Sequence, residues 1–164
     1  MEEIIRSLIE CMQQEADTYR RMAVLADRQR ELLVEGKVSV LPENLRLVEK
    51  EVFALNPIIA ARKELLARMA KAFHLKNMDL ADALERIPVQ QAGNFKTALR
   101  DLSQSAKKLE EIDKINEKLL GNALTEVKYT LRLIHGARGA RNTKGLPVPG
   151  MKEESKPAFV NRVI

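Results

Sequence analysis

Tryptophan is absent from this 164-residue chain, cysteine occurs once, histidine twice, and the aromatic side chains are four Phe and two Tyr. Each shortage excludes something. Cys11 has no second thiol with which to close an intramolecular disulfide. His74 and His135 have no Cys or carboxylate near them at ligand spacing, and a zinc site needs more ligands than that. So few aromatics argue against an all-β fold, which draws on aromatic and β-branched residues. No apolar run approaches the roughly 20 residues that span a bilayer. The opening "MEEIIRSLIECMQQ" has no basic region ahead of an apolar core or cleavage site, so no secretory signal is expected. The expectation is a soluble, cytoplasmic chain with no membrane insertion.

Recognisable active-site arrangements are missing as well. "KKLEEIDKINEK" is rich in carboxylates, but its opposite charges stand three or four residues apart, as on the solvated face of a helix. "HLKN" is one residue short of the His-x-Leu-Lys-Gly pattern of phosphotransfer bundles and lacks its Gly. "GARGARNTKG" follows a helix and has neither the spacing nor the Lys-Ser/Thr ending of a phosphate loop. With no nucleophile, base or metal set in view, no enzyme, metal or cofactor is expected. His135, beside Gly136, reads as a cation near a helix C-terminus.

What the chain does contain is helix-forming sequence. Leu, Ala, Glu, Lys and Arg recur throughout, and 164 residues suffice for one domain with a modest core. From Ile5, apolar positions fall at Leu8, Met12, Tyr19, Met22, Ala26 and Leu33, a heptad seam with Glu15 and Gln29 in the skipped slots. It ends near Gly36. A second seam, with Pro42 at a first helical position, runs through Leu45, Val48, Val52, Leu55, Ile59, Leu66, Met69 and Phe73. Pro57 should kink it. Asn77 can cap a short helix carrying Leu80, Leu84 and Ile87, stopped by Pro88. A third long helix passes Leu99, Leu102, Ala106, Leu109, Asn116, Leu120, Ala123, Val127 and Ile134.

The expected fold is therefore all-α: an elongated antiparallel, coiled-coil-like bundle of three long helices, with one short helix and a flexible C-terminal tail. The helices are placed at about 2–35, 42–73, 78–87 and 90–135 in a bundle of residues 1–135. Residues 136–164 form the tail. Short loops make consecutive helices antiparallel, so the third long helix should run parallel to the first. At about 1.5 Å per residue it would reach about 65 Å against about 50 Å for each partner, and its last turns should project. Leu120, Leu124, Val127, Leu131 and Ile134 would then lie uncovered, an apolar surface of the kind that marks a binding site. Gly121 would permit bending or close approach there. Docking on the first helix or pairing in a homodimer would cover the same surface.

The tail carries six Lys or Arg against two Glu, a charge of +4 out of the chain's +5. Diluted over 29 residues this is a weak nucleic-acid footprint, and no nucleic-acid partner is expected. The tail ends on "FVNRVI". Phe159, Val160, Val163 and Ile164 supply a small apolar hook on a Gly/Pro tether, and tethering raises the effective concentration of a weak contact.

Two stretches also carry a family resemblance. "LVEKEVFAL", with Glu49 and Lys50 early in the second helix, and "INEKLLGNALTEVKYTLRLIHG", with Asn116 ahead of Leu119 and Leu120, resemble the FlgN family of flagellar export chaperones. Many relatives have a Tyr before the Gly of the tail, where "NTKG" places Asn142 and Thr143. The resemblance implies a cytoplasmic chaperone that binds the C-terminal helices of the hook–filament junction proteins FlgK and FlgL and delivers them to the export gate protein FlhA. It makes Tyr129 the nearest candidate for the gate contact. The competing reading is a self-associating coiled-coil scaffold.

Overall fold

The computed structural model describes the backbone of residues 1–142 and the side chains of residues 1–133. Helix α1 spans Glu2–Val34, a single 3-10 turn covers Val38–Val40, α2 spans Leu41–Ala72, α3 spans Leu80–Arg86 and α4 spans Val89–Asn142. Among the described residues there is no strand, and the all-α class read from the periodicity is the observed one. One compact unit is Met1–Leu124; a second begins at Thr125.

Local chemistry sets the helix ends. At the end of α1, Lys37 N–H reaches back to the Leu32 carbonyl at 2.9 Å, and Gly36 takes the positive φ of 68° that this closure needs. The end of α2 closes in the same way, Leu75 N–H donating to the Ala70 carbonyl at 2.9 Å, but the left-handed position is held by His74 at φ 56°. Helix α3 is capped by Asp79 rather than Asn77. Its carboxylate accepts from Asp82 N–H and the Asp82 carboxylate accepts from Asp79 N–H, a reciprocal box that Asn77 has no partner to complete.

Two residues that disfavour a helix lie inside continuous ones. Helix α2 runs through Pro57, which removes one N–H from the ladder at an exposed position where water can take the freed carbonyl. Helix α4 does not stop at Gly136 but continues to Asn142. A glycine costs a helix only about 1 kcal/mol relative to Ala, and Ala137, Arg138, Ala140 and Arg141 around Gly136 and Gly139 are good helix formers.

Polar contacts show the helix directions. Glu15, Arg21 and the Leu25 carbonyl of α1 meet Arg62, Glu51 and Asn44 of α2, so α1 and α2 are antiparallel. Arg20 and Ala26 meet Asp101 and Asn116 of α4, so α4 runs parallel to α1 over this stretch. The main core gathers Ile5, Leu8, Met12 and Ala16 of α1, Leu66 and Met69 of α2, Ala83 and the following Ile87, and Phe95, Ala98 and Leu102 of α4. Phe95 is fully buried, which is worth roughly 1.5–3 kcal/mol. A smaller cluster farther along joins Ala23 and Ala26 to Leu109 and Ile112.

Two of the seams differ from the sequence pattern. On α4 the buried positions are Phe95, Ala98, Leu102, Ser105, Leu109, Ile112 and Asn116, an unbroken three-four alternation. It passes through Ala98 and Ser105 where the more apolar Leu99 and Ala106 were expected. On α2 the expected seam is only partly covered: Leu55, Leu66 and Met69 are buried, whereas Leu45 and Val52 are exposed.

Candidate functional site

The expected docking residues lie on α4. In the compact unit Leu120 and Leu124, one helical turn apart, are 37% and 59% exposed. In the second unit Val127 and Leu131, again a turn apart, are 55% and 49% exposed. Solvated apolar side chains at i, i+4 give each pair a continuous apolar face. Tyr129 is also exposed, but two residues from Val127 is about 200° around the helix. It therefore shares a face with the exposed Leu133, not with Val127 and Leu131. The side chain of Ile134 and the hook residues Phe159, Val160, Val163 and Ile164 lie outside the described residues.

The motif residues divide into structural and exposed ones. Asn116 is buried and its amide donates to the Ala26 carbonyl at 2.8 Å. Leu119 is half-buried and Glu49 and Lys50 are exposed. At Gly121, expected to admit a close approach, an added Cβ would meet nothing within 4 Å.

A second apolar surface was not anticipated. On α1, Tyr19, Met22 and Leu33 are half-buried. On α2, Val48 and Ile59 are half-buried, while Leu45 and Val52 stand 45% and 40% exposed. On α4, Leu109, Asp113 and Glu117 share a cleft with Tyr19. The signal was in the sequence, since these α1 and α2 residues are seam positions, but a seam reads as core until its cover is found missing. On the outer side of the α1–α2 pair, Val24 and Leu47 line another cleft with Arg21 and Lys50.

The electrostatics are those of a scaffold. Glu15 is buried and bound by Arg62 at 2.7 Å; Tyr19 donates its hydroxyl to the same carboxylate at 3.3 Å. Burial, and then the Glu15 charge, push the Tyr19 phenol up from its ordinary value. Burial and the neighbouring Glu15 and Glu10 raise the Cys11 thiol, which keeps it protonated and unreactive at neutral pH. Burial raises the carboxyl of Asp113 above its ordinary value. Among the described residues no three His, Cys, Asp or Glu side chains gather as metal ligands, and no helix is long and apolar enough to cross a membrane.

A helical bundle with exposed apolar faces fits several binding roles, and comparison with known families decides among them. The family described as FlgN protein matches residues 1–145. The chain belongs to the FlgN family. This is a family of flagellar export chaperones, not of enzymes, so a FlgN protein acts in general on flagellar export substrates. Comparison with curated proteins and with solved structures gives no match.

Proposed function

We propose that this FlgN protein binds the C-terminal helices of the hook–filament junction proteins FlgK and FlgL in the cytoplasm, prevents their premature assembly, and delivers them to the export gate protein FlhA. The observation that carries this reading is the solvent exposure of two apolar pairs on α4, Leu120 with Leu124 and Val127 with Leu131, each pair one turn apart, in a chain of the FlgN family. Junction proteins assemble through apolar terminal helices. Covering such a helix with apolar anchors at i, i+4 removes the surface through which it would associate, and the work is binding without turnover.

Tyr129, exposed on a different face from Val127 and Leu131, is free to meet the gate while those anchors hold a client. The hook of Phe159, Val160, Val163 and Ile164 closes over the bound helix as a tethered second contact.

Co-elution of the full chain with the C-terminal helical segment of a junction protein, with mass detection, tests this. The expected result is a one-to-one complex that Leu124→Asp abolishes and Phe159→Asp weakens. A stable homodimer that binds no segment would overturn the reading in favour of a self-associating scaffold.

A further inference from the structure

The two ends of the compact unit are built differently. At one end α3 contributes Ala83, and Ile87 follows it, to a core shared with Leu66 and Met69 of α2 and Phe95, Ala98 and Leu102 of α4. At the other end the core cluster holds residues of α1 and α4 alone, and among the described residues no short helix stands in the corresponding place. Part of the apolar seam of α2 is left facing solvent there, Leu45 and Val52 being exposed while Leu55 is buried.

Helical geometry shows that the uncovered residues turn toward one another. Around α1, α2 is met at Arg21 and Leu25 and α4 at Ala23 and Ala26. At 100° per residue, Met22 and Leu33 fall between the Ala26 and Leu25 lines. On α2, Leu47 and Lys50 flank the α1 contact on the side of the outer cleft. Leu45, Val52 and Ile59 flank it on the opposite side, the side of Met22. The α4 wall is formed by Leu109, Asp113 and Glu117, which border Tyr19.

We propose that this trough is an unfilled fourth-helix position that receives a basic amphipathic helix of an export client. The proposal rests on the export-chaperone reading above and locates part of its binding site. The shape argument is continuity: α3 already occupies the equivalent position at the other end, so a helix is the element that completes the packing. From Leu45 to Ile59 the trough offers about 20 Å, the length of about four helical turns.

The sign of the occupant's charge comes from the walls. Asp113 and Glu117, one turn apart, make no ion pair among the described residues, whereas Lys114 between them is held by Glu110. An incoming Lys or Arg finds two unspent carboxylates beside an apolar floor, and complementary charge favours its orientation and capture rate. The entering helix therefore carries apolar residues at three-four spacing for Met22, Val52 and Ile59, and a cation on its flank for Asp113.

Titration of the full chain with the junction-protein segment, in the wild type, Val52→Asp, Asp113→Lys, Leu47→Asp and Leu124→Asp, tests the assignment. Val52→Asp and Asp113→Lys should each weaken binding about tenfold or more, the Asp113→Lys effect shrinking with added salt. Leu47→Asp in the opposite cleft should have no effect. Asp113 lies at the surface, so its variant remains informative where Val52→Asp fails to fold.

Wild-type affinity in both trough variants, with binding lost in Leu124→Asp, would overturn the trough and leave the chaperone reading standing. Failure of the wild type to bind would overturn both. Two other occupants would also sink it. If amides 45–59 of the free wild type exchange more slowly than those of Phe159→Asp, the chain's own end fills the trough. If a homodimer is present and Val52→Asp dissolves it, a second copy does.

Discussion

Asn116 of α4 donates its side-chain amide to the backbone carbonyl of Ala26 in the middle of α1, at 2.8 Å. One residue earlier on α1, the Leu25 carbonyl receives the amide of Asn44 from α2 at 3.1 Å. Two long helices are thus pinned to consecutive carbonyls of a third. Sliding either partner by one turn would strip a buried amide of its acceptor, so these contacts set register in seams whose apolar side chains alone would tolerate several.

Asn116→Ala should cost about 1 kcal/mol, the net worth of one hydrogen bond, because the Ala26 carbonyl keeps its place in the α1 ladder. Asn116→Asp should cost more than the Ala variant at neutral pH, since a buried carboxylate would then face a carbonyl with no donor between them. Urea denaturation followed by circular dichroism distinguishes the two. Equal loss in both would mean that Asn116 contributes by packing alone.

The Glu15–Arg62 pair is unequal: the carboxylate is buried and the guanidinium retains some contact with water. Arg62→Ala leaves a buried charge without its partner and should cost about 3 kcal/mol. Replacing both together, as Glu15→Leu with Arg62→Met, should recover most of that loss. By contrast Lys114→Ala, which removes an exposed i, i+4 partner of Glu110, should leave stability essentially unchanged, because solvent screens such a pair. Chemical denaturation of the four proteins gives the comparison.

These elements also show how far a sequence can be read. The three-four spacing from Ile5 onward sufficed for long helices and their antiparallel order. It did not single out Ala98 and Ser105 over Leu99 and Ala106, because a hydrophobicity pattern favours the more apolar side chain. On α4 the small Ala98 shares the main core with Met12 and Ala16, and Leu109 and Ile112 pack with Ala23 and Ala26; only the pair of helices reveals that register. The trough was legible as apolar sequence and illegible as a site: Leu45 and Val52 have the same spacing whether their cover belongs to this chain or to another. On α4, the exposed Leu120 and Leu124 were expected from the greater length of that helix.

His74 occupies a left-handed position that glycine fills without strain, as Gly36 does at the end of α1. His74→Gly should therefore stabilise the protein by up to about 1 kcal/mol. Gly36→Ala should destabilise it by about as much, through backbone conformation alone, since an added Cβ there meets nothing within 4 Å. Thermal unfolding should rise for the first and fall for the second. Movement of both in the same direction would contradict the assignment.

Burial raises the carboxyl of Asp113 above its ordinary value. For an acid whose pKa is higher in the folded chain, the native state holds its proton more tightly. The group consequently opposes folding once ionised: the penalty is full above the folded pKa and vanishes below the unfolded value of 3.8. Asp113→Asn should then be more stable than the wild type at neutral pH, with the advantage shrinking as the solution is acidified through the folded pKa toward 3.8. The effect is modest because the side chain remains partly solvated. Denaturation midpoints at several pH values test it, and an advantage that grew on acidification would reverse the sign.

Gly121 lies within the continuous helix α4, between Asn116, where the buried seam ends, and the exposed Leu124. A Cβ at this position would meet nothing within 4 Å, so no close packing among the described residues requires a glycine. Gly121→Ala should strengthen the local helix by up to about 1 kcal/mol, read as slower hydrogen exchange of the neighbouring amides. Two roles for the glycine then separate cleanly. If it serves only as a weak point in the helix, the Ala variant should bind the junction-protein segment within about twofold of the wild type. If a partner backbone packs directly against residue 121, a single methyl group should cost about tenfold or more in affinity. The open space beside Leu120 and Leu124 favours the first outcome, in which the leucines provide the contact.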